Sequence, residues 1–460
     1  MTGIRNRIRF NWFEQVSAAP LAVYRIGFGL LMLFSTLRFI ANGWVEAQYI
    51  SPSFHFSYYG FEWLPYPSPE GIYALFILML IGSILILLGL FYRIGATLFF
   101  LAFTYVELLD KANYLNHYYF VSLIALLLIF IPANRYFSLD AKLGLTKYSK
   151  TCSKWNIRIL QFQIAIVYIF AGIAKLESDW LLEAQPLKYW LHTAHHWEFF
   201  GPILKQDWVA YTFAWFGCIY DLTIVLFLAL KKTRKIAYVF VIIFHVTTWL
   251  LFPIGVFPWV MMFATLIFFE PSLHEKILNF LRVLFGHHSP AIRRHPNVSR
   301  IPRTVIKGAL ALYIFIQIAM PFRYLLYDGN LFWTEQGFRF SWRVMLMEKA
   351  GYATFYVSDP DTHAEVEIKN CDYLTPNQEK MMSTQPDMIL QFAHYLEEEY
   401  KDTTVERFGT QMTFTAPEVH AEVFVTLNSR PHQLYVDREH NLASIDNDLS
   451  ERDWLEAFKE

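Results

Sequence analysis

Lys175 stands near the end of one of the most apolar runs in the chain, Ile164-Ala-Ile-Val-Tyr-Ile-Phe-Ala-Gly-Ile-Ala-Lys175-Leu-Glu-Ser-Asp179-Trp180. A charged amine in a membrane-type helix costs a few kcal/mol, so it either escapes to the interface or does chemistry. Glu177 and Asp179 follow at once, which puts the amine near a water boundary but on its apolar side. Desolvation there disfavours the ammonium form, and a neutral lysine is a base. Other polar groups fall at the same boundary. Asp110 and Lys111 close one apolar run, and Tyr114, Asn116 and His117 lead into the next. His245 lies in the nearer half of a later run, while Tyr168 and Trp180 lie on either side of Lys175 in sequence. Ionisable groups inside apolar runs, gathered on one side, mark functional pathways. Each also has a plainer reading: Lys175 can snorkel, His117 can sit at an interface, His245 can cap a neighbouring carbonyl, and Asp110 with Lys111 can be a boundary pair. His192, His195 and His196 have the i, i+3, i+4 spacing of a zinc-binding face. No Cys and no HExxH pattern accompanies them, so the segment reads as amphipathic, with Trp190 and Trp197 in the interface and no metal expected.

The elements that would hold these groups follow from composition. Of 460 residues 55% are hydrophobic and only 17% charged, against about 25% charged in soluble domains, which indicates a membrane protein. A net charge of −1 gives no case for a nucleic-acid partner. Cys152, Cys218 and Cys371 are widely spaced and carry neither metal nor redox spacing. Arg5, Arg7 and Arg9 precede an apolar stretch that lacks a small-residue cleavage site, so it is expected to be a retained span rather than a signal peptide. Apolar segments of spanning length occur near 20–40, 71–91, 94–110, 116–132, 158–175, 209–229, 236–252, 255–270 and 305–321. With the N-terminus cytoplasmic, Lys and Arg fall in the predicted inner loops, and the outer segment 41–70 has none. The expectation is about nine transmembrane helices, residues 1–321, followed by an outer α+β domain, residues 322–460. Alternating runs at 353–357, 365–368 and 419–427 predict strands there, and 386–400 predicts a helix starting at Pro386 and Asp387.

In order along the chain, these segments resemble the vitamin K-dependent γ-glutamyl carboxylase family. Leu108-Leu-Asp-Lys-Ala-Asn-Tyr-Leu-Asn-His-Tyr-Tyr119 is similar to the family's LLDK…NNH.Y stretch, and Ala133-Asn-Arg-Tyr-Phe-Ser-Leu-Asp140 to its ANHYWSVD element. Residues 163–180 look like QIFIVYFIAGVKKLDADW. Asp221-Leu, Phe244-His245 and Phe252-Pro-Ile-Gly-Val-Phe257 follow in order, and Trp333-Thr-Glu with Phe340-Ser-Trp-Arg-Val-Met345 resembles WTN…YSWDMM. Asp387-Met, the stretch 417–425, Asn428-Ser-Arg430 and Gln433 extend the resemblance to most of residues 20–440.

The resemblance implies a reaction and its parts. Lys175 falls on the family's catalytic base, which deprotonates reduced vitamin K of the menaquinol or phylloquinol type. The anion reacts with oxygen, and collapse to the quinone epoxide leaves an alkoxide strong enough to take a glutamate γ-proton, after which carbon dioxide adds. His117, preceded by Asn116, falls on the active-site histidine and would serve the carboxylate or the carbanion stage. Asp110, Lys111, Tyr114, Tyr168, His245 and Trp180 are candidates for the substrate and quinol pocket. Implied partners are membrane lipid, the quinol and a glutamate-containing peptide docked on the outer domain, which would be periplasmic, extracellular or lumenal. The sequence departs from familiar animal members in having Ala174 before Lys175 instead of a second lysine. It also lacks the cysteine pair that bridges the two parts of those enzymes and is shorter at the C-terminus, which fits a compact, bacterial-type member. Two alternatives stay open: a quinol epoxidase without carboxylation, and a non-catalytic membrane scaffold or transporter. Neither paired broken helices nor an inverted repeat supports a transporter.

Overall fold

The computed structural model describes residues 11–193, 200–285, 301–407 and 410–459. The apolar runs fold as helices bounded by the expected punctuation. Helix α1 (Ala19–Ala41) has a proline in its first turn, and α2 (Pro69–Leu88) starts after Ser68, whose hydroxyl accepts from the Gly71 N–H. Gly89, at φ 62°, ends α2 in the left-handed conformation that glycine adopts without penalty. Helix α3 (Tyr92–Leu109) lies against α2 where a Cβ on Gly82 would stand 2.9 Å from the Gly95 carbonyl oxygen. Then come α4 (Asn116–Phe130), α5 (Trp155–Ala174), α6 (Asp207–Ala229), α7 (Arg234–Leu251) and α8 (Phe257–Ala264), the last continued by a 3-10 turn to Phe268. The amphipathic α9 (Pro271–Phe285) and the apolar α10 (Arg303–Phe322) complete this part.

Among the described residues, seven helices are long and apolar enough to cross a membrane: α1, α2, α3, α5, α6, α7 and α10. The expected fourth and eighth spans are shorter. The 15 residues of α4 rise about 22 Å, less than the ~30 Å of a bilayer's hydrocarbon core. A count of nine full spans is thus not established, because two of the nine apolar runs break early.

A buried polar knot secures the helix ends on the far side from Asp110. Arg25, wholly buried in α1, donates to the carbonyls of Ile86 (2.7 Å), Leu87 (2.7 Å) and Phe137 (2.6 Å). The first two belong to the last turn of α2, where Ile86 also accepts from the Gly89 N–H (3.1 Å), so the guanidinium adds to the cap there. Asp140 accepts from the N–H groups of Phe91 (2.8 Å) and Tyr92 (3.1 Å) and from Asn134 Nδ2 (2.7 Å). The 133–140 stretch is scaffold that starts α3.

The outer part is built on an antiparallel sheet of β1 (Lys349–Asp359), β2 (Ala364–Glu367), β3 (Glu418–Leu427) and β4 (Gln433–Val436), in the order β2-β1-β3-β4. Alternate residues of β1 and β3, among them Phe355, Val357, Val419, Ala421 and Val423, are buried. Against that face pack α11 (Pro376–Met382), opened by a Thr375–Gln378 capping box, and α12 (Pro386–Tyr400). Phe355 and Phe392 meet edge to face at 5.0 Å. The chain is a polytopic helical protein with a β-containing domain after the helices.

Candidate active site

Lys175 is the C-cap of α5, and it is not solitary. Its Nζ donates to Asp221 Oδ2 at 2.8 Å and to the Ala171 carbonyl at 3.2 Å. Both side chains of the ion pair are almost fully buried, at 7% and 5% exposure. Close approach of α5 and α6 makes the pair possible. A Cβ on Gly172 would lie 2.8 Å from the backbone nitrogen of Leu222, so a larger residue would push Asp221 away. The Trp180 ring faces the amine, with Nζ 5.2 Å from its centroid, and is fixed by a 2.9 Å bond from Nε1 to the Ala214 carbonyl. Two turns deeper on α5, the Tyr168 hydroxyl pairs with His245 Nε2 of α7 at 2.8 Å, both buried.

The start of α4 brings Asn116 and His117 to the same space. Its N-terminus has no side-chain cap. Asn116 Oδ1 accepts from the Tyr114 hydroxyl (2.9 Å), and its Nδ2 donates to the Arg343 carbonyl (2.8 Å) of the outer part. The His117 ring lies over Phe257 at 5.5 Å, nearly parallel. Tyr114 in turn accepts from the Phe340 N–H at 2.7 Å. Helix ends and outer loops thus enclose one cavity of about 560 Å³, within the 300–1,000 Å³ typical of ligand pockets. Lys111, Tyr114, Asn116, His117, Tyr168, Lys175, Trp180 and His245 all line it, as do Asp221, Arg38 and Arg343.

Two of the expected pocket residues also tie the roof down. Asp110 is absent from the lining; its carboxylate accepts from the Ala112 N–H (2.9 Å) and Gln378 Nε2 (2.9 Å), which ties α11 to the end of α3. Lys111 reaches the cavity wall, but its amine is held by Asp387 Oδ2 at 2.8 Å, an oxygen that Arg339 also engages at 2.7 Å. Burial alone would raise Asp387, yet the charges of Arg339 and Lys111 outweigh it and hold the carboxyl well below its ordinary range. A second latch joins the α5–α6 connection to the outer part: Asp179 takes both Arg430 terminal nitrogens (2.7 and 2.8 Å) and Asn428 Nδ2 (2.7 Å). Beside it, burial and then the Asp179 charge push Glu177 up to about 7. His192 Nδ1 contacts the Lys188 carbonyl, and His195 and His196 lie outside the described residues.

Asp221, Arg38 and Arg343 line the cavity without being among the expected site residues. A carboxylate within the apolar run of α6 was the available signal for Asp221. Nothing local marks either arginine, since each acquires its place from elements far away in the chain.

Residues 13–273 match the HTTM domain family, and residues 302–460 match the lumenal domain of vitamin K-dependent gamma-carboxylase. The second match begins just before α10 and so includes the last apolar helix with the outer sheet. No solved structure matches the chain.

Proposed function

The chain belongs to the vitamin K-dependent γ-carboxylase family, and we propose that it is a membrane-embedded carboxylase coupling quinol epoxidation by oxygen to carbon dioxide addition at glutamate side chains. Residues 1–321 form the catalytic membrane part and 322–460 the outer part that receives the peptide, with the N-terminus cytoplasmic. The supporting observation is the Lys175–Asp221 pair, set in the wall of a largely apolar cavity roofed by the outer sheet domain. Flat aromatic walls (Trp180, Phe252, Phe257) with two hydrogen-bonding pairs suit a quinol head group. Reduced vitamin K would supply, when bound, the reductant whose oxidation by oxygen generates a base strong enough for a glutamate γ-proton.

The chain's own residues prepare that chemistry. Lys175 Nζ can pass one proton to Asp221 Oδ2 and so present a lone pair to a phenolic hydroxyl; the proton taken up is then shared by the pair. The base is therefore the amine together with its carboxylate, rather than an isolated desolvated lysine. Tyr168 and His245 orient a second hydroxyl or carbonyl of the ring from deeper in the bundle. Asn116 and His117, at the edge facing the outer domain, are placed to meet a peptide carboxyl. The outer part lies over the cavity and limits the access of water, which would protonate a carbanion.

The test uses purified protein with reduced vitamin K, labelled bicarbonate and a glutamate-rich peptide, with epoxide and fixed label followed together. Both products are expected, and His117→Ala is expected to lower fixed label more than epoxide. Epoxide without label, in the unmodified protein, would leave an epoxidase with a different acceptor. Neither product from folded protein would reject the reaction.

A further inference from the structure

Five cations line the cavity: Arg38, Lys111, Lys175, Arg339 and Arg343. Three are ion-paired, Lys175 with Asp221, and Lys111 and Arg339 sharing the single carboxylate of Asp387. Arg38 and Arg343 make no ion pair among the described residues, and the Nε of each is buried without a hydrogen-bond partner. Their present neighbours are aromatic, and Arg343 also hydrogen-bonds the Tyr324 side chain. The Arg38 guanidinium lies 4.9 Å over Trp44, and that of Arg343 4.6 Å over Tyr324. Glu177 acts on Arg343 electrostatically without forming an ion pair. Both arginines belong to the wall around the start of α4: the Arg38 charge acts on the His117 ring, and the Arg343 backbone carbonyl is bonded to Asn116 while its guanidinium also lines the cavity.

A cavity lined by two half-buried guanidinium groups with no carboxylate in ion-pair contact suits an anion, since a charge only partly solvated gains from a direct counter-charge. Guanidinium is planar and matches a carboxylate with two parallel N–H···O bonds. We propose that Arg38 and Arg343 bind the side-chain carboxylate of the acceptor glutamate and hold its γ-carbon beside His117. The proposal rests on the carboxylase reading for the identity of the anion. It also gives each arginine a task. Carboxylation replaces the γ-C–H by C–CO2⁻, with the proton lost and carbon dioxide supplying the new group, so the product side chain carries two carboxylates for two guanidinium groups. Arg343 stands where the family's YSWDMM stretch has aspartate, so this arm of the clamp is a feature of this chain.

The experiment is binding without turnover: a fluorescent pentapeptide with two central glutamates, its glutamine counterpart and its γ-carboxyglutamate counterpart, titrated into the full chain in nanodiscs without quinol. Expected is a preference of about tenfold or more for glutamate over glutamine, the scale of one lost charged hydrogen bond. The dicarboxylate peptide should bind tighter still. Arg343→Gln and Arg38→Gln should each erase most of the preference, and Arg343→Lys should restore part of it. Equal binding of glutamate and glutamine peptides by the wild type, a comparison that needs no variant, would overturn the clamp. So would unchanged selectivity in both glutamine variants. Selective binding by a protein that forms neither epoxide nor fixed label would keep the anion site and sink the reaction instead.

Discussion

At the scale of single residues, Asp221 changes what removal of Lys175 should do. A lone buried lysine is a burden on the fold, and on that basis Lys175→Ala would be tolerated. With Asp221 Oδ2 only 2.8 Å away, the same change strands a buried carboxylate, a situation that costs about 3–5 kcal/mol. Lys175→Ala is therefore expected to lose both epoxide formation and thermal stability. The double variant Lys175→Met, Asp221→Leu removes both charges and fills the space with apolar atoms, so its melting temperature should return close to that of the unmodified protein while activity stays absent. Melting curves in detergent beside an epoxide assay separate the two effects. Epoxide formation by the double variant would show that the pair is not the base.

At the scale of elements, the connection between α5 and α6 sits under the outer domain with an acid on each side of Ser178. Asp179 is satisfied by Arg430 and Asn428, whereas the Glu177 Oε1 is buried without a partner. Its carboxyl, pushed up to about 7 by burial, binds a proton in the folded protein at pH values where an unfolded glutamate, near 4.3, has lost it. Folding therefore takes up a proton in that window, and stability falls as pH rises from about 4.5 toward 7, then levels off. Glu177→Gln should flatten the slope and raise the melting temperature at pH 7.5 more than at pH 5; an unaltered slope would show that another group sets it. These local facts mark the limit of what a one-dimensional reading yields. Lys175, His117 and the apolar helices were legible because an ionisable residue at the end of an apolar run is a signal carried by the run itself. The ion pair with Asp221 was not, since it depends on Gly172 letting α6 approach across 46 residues. Asp110, both a pocket candidate and a plain boundary residue by sequence, anchors Gln378 of α11, a contact 268 residues away that no local pattern announces.

For the whole molecule, the proposed chemistry depends on two parts staying closed over one cavity. Membrane helices supply Lys175, Asp221, Tyr168 and His245, while the outer part supplies Arg339, Arg343 and the wall around Met345 and Met347. Two charged latches hold them together, Lys111–Asp387–Arg339 on one side and Asp179–Arg430 on the other. If the roof serves to keep water from the carbanion stage, loosening it should not stop quinol oxidation first. It should waste it. In the variant Asp387→Asn, Asp179→Asn, epoxide should still form from the intact Lys175–Asp221 pair, while fixed label falls, so the ratio of epoxide to label rises above that of the unmodified protein. Limited proteolysis of the outer domain, run on the same samples, reports whether the interface has opened. An opened interface with an unchanged ratio would mean that water exclusion is achieved within the bundle alone. An opened interface with a raised ratio would make closure of the outer domain the step that couples the two halves of the reaction.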